Sequence, residues 1–164
     1  MSMLRRRGLY IDDLCYGRVL VTWQVFDRFE IGAPAAPATP IALGYADFLA
    51  GQELAGDVIA RDGTLLSGRI VFDLDESETT QTLDAPIGGV HYLVPFGKVA
   101  TIDLSAQQAG GGEPSVILHD GNVLRFEPKG DLGPDNAGVL VFRGDRERPE
   151  YLAWEEVERI NFVR

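Results

Sequence analysis

The chain has 164 residues, of which 45% are hydrophobic, and a formal net charge of −10. This composition fits one domain, or two very small ones, with a proper core. No apolar run approaches the roughly 18 residues of a membrane span, and no signal-peptide core follows the basic start, so we expect neither feature. The cytoplasm is then the default location, with the periphery of a membrane as the alternative.

The negative charge is unevenly distributed. Residues 1–50 hold five basic and five acidic side chains, whereas residues 51–164 hold ten basic and twenty acidic ones. An acidic surface of this kind repels phosphate backbones. We therefore expect no nucleic acid among the partners of this protein.

Alternation of apolar and polar residues, interrupted by glycine and proline, predicts an all-β chain. The Asp-Gly pairs at 62–63 and 120–121 each separate two such runs and predict hairpin turns. Residues 32–55 are rich in proline and alanine and should form an extended spacer. In chain order, the predicted strands cover residues 8–14, 17–23, 27–31, 56–61, 64–73, 79–84, 89–95, 99–104, 114–119, 122–127, 137–143, 149–153 and 159–163.

A sequence repeat with one fixed offset organises the chain. Residues 58–63 (VIARDG) recur as 116–121 (VILHDG), and Phe96 and Trp154 are each followed by apolar residues at +3, +6 and +8. Trp23 starts a third, partial copy with the same spacing, and all three aromatic residues are expected to face the core. The predicted units are a partial N-terminal β unit with a basic tail (1–31), the spacer (32–55), a first small β-barrel (56–109) and a second small β-barrel (110–164).

Residues 58–73 resemble the opening strands of Sm-like and other SH3-like small barrels: a strand, a turn with glycine, and a long bent strand with a second glycine. A single helical turn before the last strand is also typical of SH3-like barrels. The tandem pattern resembles that of uncharacterised bacterial repeat proteins and, more loosely, PRC-barrel domains. The resemblance implies two tandem SH3-like or Sm-like small barrels, with a partial N-terminal unit and an extended Pro-rich spacer.

Candidate catalytic or metal-binding residues are few. His91 and His119 occupy different repeat positions and lie in no ligand-spaced cluster, so no zinc site is expected. Residues 73–78 (DLDESE) favour a solvated acidic turn, because Glu78 stands where an EF-hand loop needs glycine, and Ca²⁺ binding there stays open. Asp131, which follows Asp73 by the same repeat offset, is interpreted as its counterpart in an ordinary turn. The one cysteine, Cys15, is predicted to be a small core residue.

These observations favour a non-catalytic binding or assembly module, an accessory subunit that stabilises a larger protein complex, with a membrane-associated complex as one form. We expect no cofactor and no metal. The predicted partner-binding residues are Arg5, Arg6, Arg7, Leu9 and Tyr10, which would contact an acidic protein groove or an anionic membrane surface.

Two alternatives stay open. One is a small-ligand or enzymatic site between the two barrels, with Asp73, Glu76, His91 or His119 at its rim. The other, less favoured, is Sm-like RNA binding, against which the acidic barrels argue.

Overall fold

The structure is a computed structural model that describes residues 8–30, 32, 51–108, 110–144 and 148–163. The predicted spacer therefore lies largely outside the described residues. Single 3₁₀ turns begin at Trp23, Phe96, Gly130 and Trp154, and one short helix, α1, covers Ser105–Gln108. The strands of the described residues are β1 (Gly8–Asp13), β2 (Gly17–Thr22), β3 (Ala55–Ala60), β4 (Leu65–Phe72), β5 (Thr82–Ile87), β6 (Val90–Pro95), β7 (Val99–Asp103), β8 (Ser115–Leu118), β9 (Val123–Arg125), β10 (Val139–Phe142), β11 (Glu150–Leu152) and β12 (Val157–Phe162).

The described strands form two antiparallel sheets, so the predicted all-β class is confirmed. The N-terminal sheet has the order β1-β2-β6-β5, and the main sheet has the order β11-β10-β4-β3-β12-β7-β8-β9. Both sheets are open, and the two separate barrels stay a prediction. No helix within the described ranges is both long enough and apolar enough to cross a membrane.

Strands from residues 56–109 and 110–164 alternate within the main sheet. The β3–β4 hairpin lies between β10 and β12, and β7 pairs with both β12 and β8. Gly56 allows the close approach of β3 to β12, since a Cβ at this position would lie 1.9 Å from the backbone oxygen of Asn161. The proposed boundary at residue 109 thus separates ranges of sequence that share one sheet.

The two Asp-Gly turns close hairpins as the sequence predicts. Gly63 has a φ of 87° and Gly121 a φ of 90°, in the left-handed region that glycine adopts without a steric penalty. In each turn the aspartate side chain, Asp62 or Asp120, accepts a hydrogen bond from the backbone N–H two residues later, at 2.8 and 2.9 Å respectively. These bonds fix the position of each turn along the chain.

One core lies beneath the main sheet, and residues from both repeats contribute to it. The ring of Phe72 packs against Phe96 and Trp154, with centroid distances of 5.2 and 5.5 Å. Phe96 is 1% exposed and Trp154 7% exposed, so these two aromatic residues face the core as predicted.

The third aromatic residue corrects that prediction. Trp23 is 54% exposed, and residues 26–30 form no strand, although a strand was predicted over 27–31. The equivalent strand β12 has β3 on one side and β7 on the other, whereas none of the described strands lies beside residues 26–30. Trp23 therefore starts the same 3₁₀ turn but stays exposed.

Cys15 is exposed, so the prediction of a core residue was wrong. It lies in the turn between β1 and β2, where its backbone N–H donates to Oδ1 of Asp13 at 2.8 Å. The position in the turn places the thiol at the surface.

Candidate functional site

The connection from β4 to β5 gathers three carboxyl groups. Oxygen atoms of Asp73, Asp75 and Glu76 lie within 4.8 Å of one another. The backbone N–H groups of Asp75 and Glu76 both donate to the Phe72 oxygen, at 3.2 and 2.9 Å, which closes a tight turn directly after β4. Asp73 and Leu74 accommodate this turn with φ angles of 48° and 64°, a conformation that costs free energy for residues other than glycine.

Asp131 joins these residues from the other repeat. Its Oδ2 accepts a hydrogen bond from the Asp84 backbone N–H at 2.5 Å, and Asp73 accepts one from the Ala137 backbone N–H. Each carboxyl group is thus held by a backbone donor of the opposite repeat. We call Asp73, Asp75, Glu76 and Asp131 the acidic cluster.

A buried amide supports the acidic cluster from below. Asn136 is a buried polar residue whose Nδ2 donates to the Asp131 backbone oxygen at 2.7 Å and whose Oδ1 accepts from the Gly138 N–H at 2.8 Å. Because both ends of the amide are bonded, the 3₁₀ turn that carries Asp131 is fixed to the start of β10.

The acidic cluster holds protons that isolated carboxyl groups would lose. Burial raises the pKa of Glu76 to about 8, and the neighbouring charges of Asp75, Asp131 and Asp73 add to this effect. Burial also raises the pKa of Asp131 to about 6, against the opposing hydrogen bond from the Asp84 N–H. Burial likewise raises the pKa of Asp73. At neutral pH the cluster therefore contains a protonated Glu76.

The hydrogen bonds of Glu76 agree with this protonation. Its Oε2 is buried, and none of the described residues offers a donor to it. A protonated Glu76 becomes a donor itself and hydrogen-bonds to Asp75. A bound cation would satisfy the same oxygen atoms, because carboxylates at this spacing suit hard divalent ions.

Asp84 connects His91 to the acidic cluster. Its Nδ1 is 3.5 Å from Oδ1 of Asp84, the residue whose backbone N–H binds Asp131. His119 follows β8, where its backbone N–H donates to the Lys98 oxygen at 2.9 Å. Of the four residues named for a ligand site, the fold thus brings Asp73 and Glu76 together. It links His91 to Asp131 through Asp84.

A pocket of about 450 Å³ opens elsewhere on the molecule. Asp73, Glu76, His91 and His119 do not line it. Both repeats contribute to its walls, which are formed by Arg61, Gln107, Pro128, Leu132, Gly133, Pro134, Trp154 and Glu155. The pocket and the acidic cluster are therefore separate features of the region between the repeats.

The predicted partner-binding residues lie on β1, at the edge of the N-terminal sheet, as far as they are described. Leu9 is half-buried and Tyr10 is 55% exposed. Arg5, Arg6 and Arg7 lie outside the described residues. Of the large apolar residues that are exposed, six fall within one stretch of twenty residues: Tyr10, Ile11, Leu14, Trp23, Val25 and Phe29.

Aromatic side chains connect part of this stretch. The rings of Trp23 and Phe26 have centroids 5.2 Å apart, and those of Phe26 and Phe29 have centroids 6.0 Å apart. We call residues 8–30 with these side chains the N-terminal surface. Contiguous apolar side chains at a protein surface are typical of an interaction site.

Sequence reasoning missed part of the acidic cluster and its supports. Asp131 and Asn136 were assigned to an ordinary turn, and Asp84 was not singled out. The repeat offset that relates Asp73 to Asp131 was the signal that could have found the pair. No family model, no curated protein and no solved structure matches the chain.

Proposed function

We propose that the protein is a non-catalytic binding and assembly module, an accessory subunit that attaches to a larger protein complex through its N-terminal surface. The main support is a contrast between equivalent residues. Phe96 and Trp154 close their repeats from inside the core at 1% and 7% exposure, whereas Trp23 is 54% exposed. An apolar face that none of the described strands covers is best buried by a partner.

We further propose that the two repeats form two small SH3-like or Sm-like barrels, each completed by strands of the other repeat. The pairing of β4 with β10 supports this exchange. So does the hydrogen bond from the Glu127 N–H, just after β9, to the Pro86 oxygen in β5, at 2.9 Å. Such an exchange makes a rigid body that can present the N-terminal sheet to a partner.

The charge distribution suggests how the partner is recognised. The N-terminal fifty residues are neutral in sum, while the remaining chain carries the whole excess of ten negative charges. The Arg5, Arg6 and Arg7 side chains would each contribute about 1 kcal/mol at an anionic membrane surface, and an acidic protein groove would attract them similarly. Three such charges bind weakly, so apolar contacts of Leu9 and Tyr10 should contribute as well.

Two variants test this function in the native complex. Deletion of residues 1–7 and the double substitution Trp23→Ser with Phe29→Ser should both release the protein from its complex while leaving its melting temperature nearly unchanged. Leu65→Ser is the matched control, because Leu65 and Phe29 are both 57% exposed but Leu65 lies on the β3–β4 hairpin. Full retention of both variants in the complex would refute the proposal.

A ligand-binding or enzymatic role for the acidic cluster is the second candidate. The convergence of Asp73, Glu76 and Asp131 favours it, since neighbouring carboxyl groups whose pKa values differ, about 8 for Glu76 and about 6 for Asp131, are a typical acid–base arrangement. Ca²⁺ is a simple first probe. A rise in melting temperature with Ca²⁺ that is lost in Asp73→Asn would favour this role, and equal melting temperatures with and without Ca²⁺ would argue against a cation site.

A further inference from the structure

Two equivalent strands pair with each other in the middle of the main sheet. β7 and β12 are antiparallel, and Ile102 stands opposite Ile160, its own equivalent in the second repeat. The pairing is therefore centred on one repeat position, and it relates the two strands as a local two-fold axis would. One further residue pair lies on each side of this centre. In each pair, the residue five positions after the closing aromatic of one repeat faces the residue seven positions after the closing aromatic of the other repeat.

An ion pair marks one of the two flanks, and on the other flank the Thr101 hydroxyl donates to Oδ1 of Asn161 at 3.1 Å. Arg159, five residues after Trp154, donates from Nη2 and Nε to Oδ2 of Asp103, seven residues after Phe96, at 2.8 and 3.1 Å. Burial opposes the ionisation of Asp103, but hydrogen bonds from Ser105 and Arg159 outweigh it and hold the pKa of Asp103 below its ordinary value. The pairing thus combines an apolar centre with a charged flank.

The N-terminal copy carries the complete set of these positions in one segment. Counted from Trp23, the centre is Phe29, the fifth residue is Arg28 and the seventh is Glu30. In β7 and β12 these two positions place Asp103 and Arg159 in different strands, whereas in the N-terminal copy they place a cation and an anion in one segment. An antiparallel pair of two such segments, centred on Phe29, would place Arg28 opposite Glu30 on both sides.

Among the described residues of a single chain, this segment pairs with no strand. Residues 26–30 form no strand, Phe29 is 57% exposed, and Arg28 and Glu30 contact each other instead. β7 and β12, the other two closing strands, already pair with each other. A second copy of the N-terminal segment would offer it the complementary positions.

We propose that two copies of this chain pair through residues 26–30, antiparallel and centred on Phe29, in the arrangement that β7 and β12 form within one chain. The contact is isologous, as in most homodimers, because the same residues serve on both sides. Phe29 of each copy faces Phe29 of the other, and two Arg28–Glu30 pairs flank this contact. The proposal rests on the proposed function in using the N-terminal surface, and it names one partner for that surface.

Charge reversal tests the pairing, with sedimentation velocity over a range of concentrations as the measurement. The wild-type chain should reach twice its single-chain mass of 17.9 kDa. Arg28→Glu alone and Glu30→Arg alone each place like charges opposite one another on both flanks, so each should raise the dissociation constant by roughly tenfold or more. The double variant Arg28→Glu with Glu30→Arg restores opposite charges and should dimerise as the wild type does.

A control variant and three outcomes make the test decisive. Lys129→Glu reverses an exposed charge that pairs with Glu127, far along the sequence from the segment, and should leave the dimer intact. A wild-type chain that stays at 17.9 kDa would overturn the inference, as would a double variant that fails to recover. A monomeric chain that is nevertheless retained in its native complex through Trp23 and Phe29 would also overturn it, but would leave the proposed function standing.

Discussion

Replacement of Glu76 by glutamine should change how the stability of the protein depends on pH. In the folded chain, burial raises the pKa of Glu76 from 4.5 to about 8. Between these two values the folded state holds a proton that the unfolded state has lost. The free energy of unfolding therefore falls as the pH rises through this window. Above the folded pKa of Glu76 the stabilisation by this proton is lost completely.

The size of this change in the free energy of unfolding follows from the pH range in which Glu76, and not Asp131, exchanges its proton. The raised pKa of Asp131 is about 6, so the pH range above about 6.5 separates the two groups. From there to the folded pKa of Glu76 the cost is at most about 2 kcal/mol, at about 1.4 kcal/mol per pH unit. Solvent around this half-buried carboxyl reduces the expected change to about 1 kcal/mol.

Urea unfolding at about pH 6.5 and about pH 8.5 measures this change. Glu76→Gln keeps the shape of the side chain and supplies an amide donor toward Asp75, but it cannot ionise. The free energy of unfolding of the variant, relative to that of the wild type, should therefore rise by about 1 kcal/mol from the lower to the higher pH. Glu155→Gln, at an exposed glutamate, is the control and should show no such gain. An equal difference between Glu76→Gln and wild type at both pH values would refute the reasoning.

Three further predictions concern stability, and thermal or urea unfolding checks each of them. Phe96→Ala should cost about 3 to 5 kcal/mol because it empties a buried aromatic site, whereas Trp23→Ala should cost less than about 0.5 kcal/mol in the isolated chain; equal costs would contradict the contrast between the repeats. Asn136→Ala should cost about 2 kcal/mol, since two bonded backbone groups lose their partner; a neutral effect would mean that water replaces the amide. Gly56→Ala should cost about 3 kcal/mol or prevent folding, because the added methyl group meets backbone; wild-type stability would show that β3 and β12 separate easily.

The sequence predicted the local elements of this fold well. The alternation of apolar residues predicted most strands to within two or three residues, and the Asp-Gly pairs located both hairpin turns. These features depend on neighbouring residues, which a sequence displays directly. The exchange of strands between repeats depends on contacts far apart in the chain, and the repeat offset alone is equally compatible with two separate units.

The errors in the site have the same origin. Trp23 shares its spacing with Phe96 and Trp154, so its exposure depends only on whether strands lie beside residues 26–30. Asp131 was interpreted as an ordinary turn residue, because its contact with Asp84 joins positions 47 residues apart. Burial raises the pKa of Asp131, and so do charges that are distant in the sequence but close in space. Neither cause is visible in the local sequence.

The central claim is that a protein partner covers Trp23. The chain has two tryptophans, and Trp154→Phe, which introduces the residue found at the equivalent position 96, leaves Trp23 as the only indole. Acrylamide quenching of this variant, alone and in its native assembly, measures the exposure of Trp23 directly. We predict strong quenching of the dilute isolated chain and clear protection in the assembly, whereas equally strong quenching in both would contradict the account.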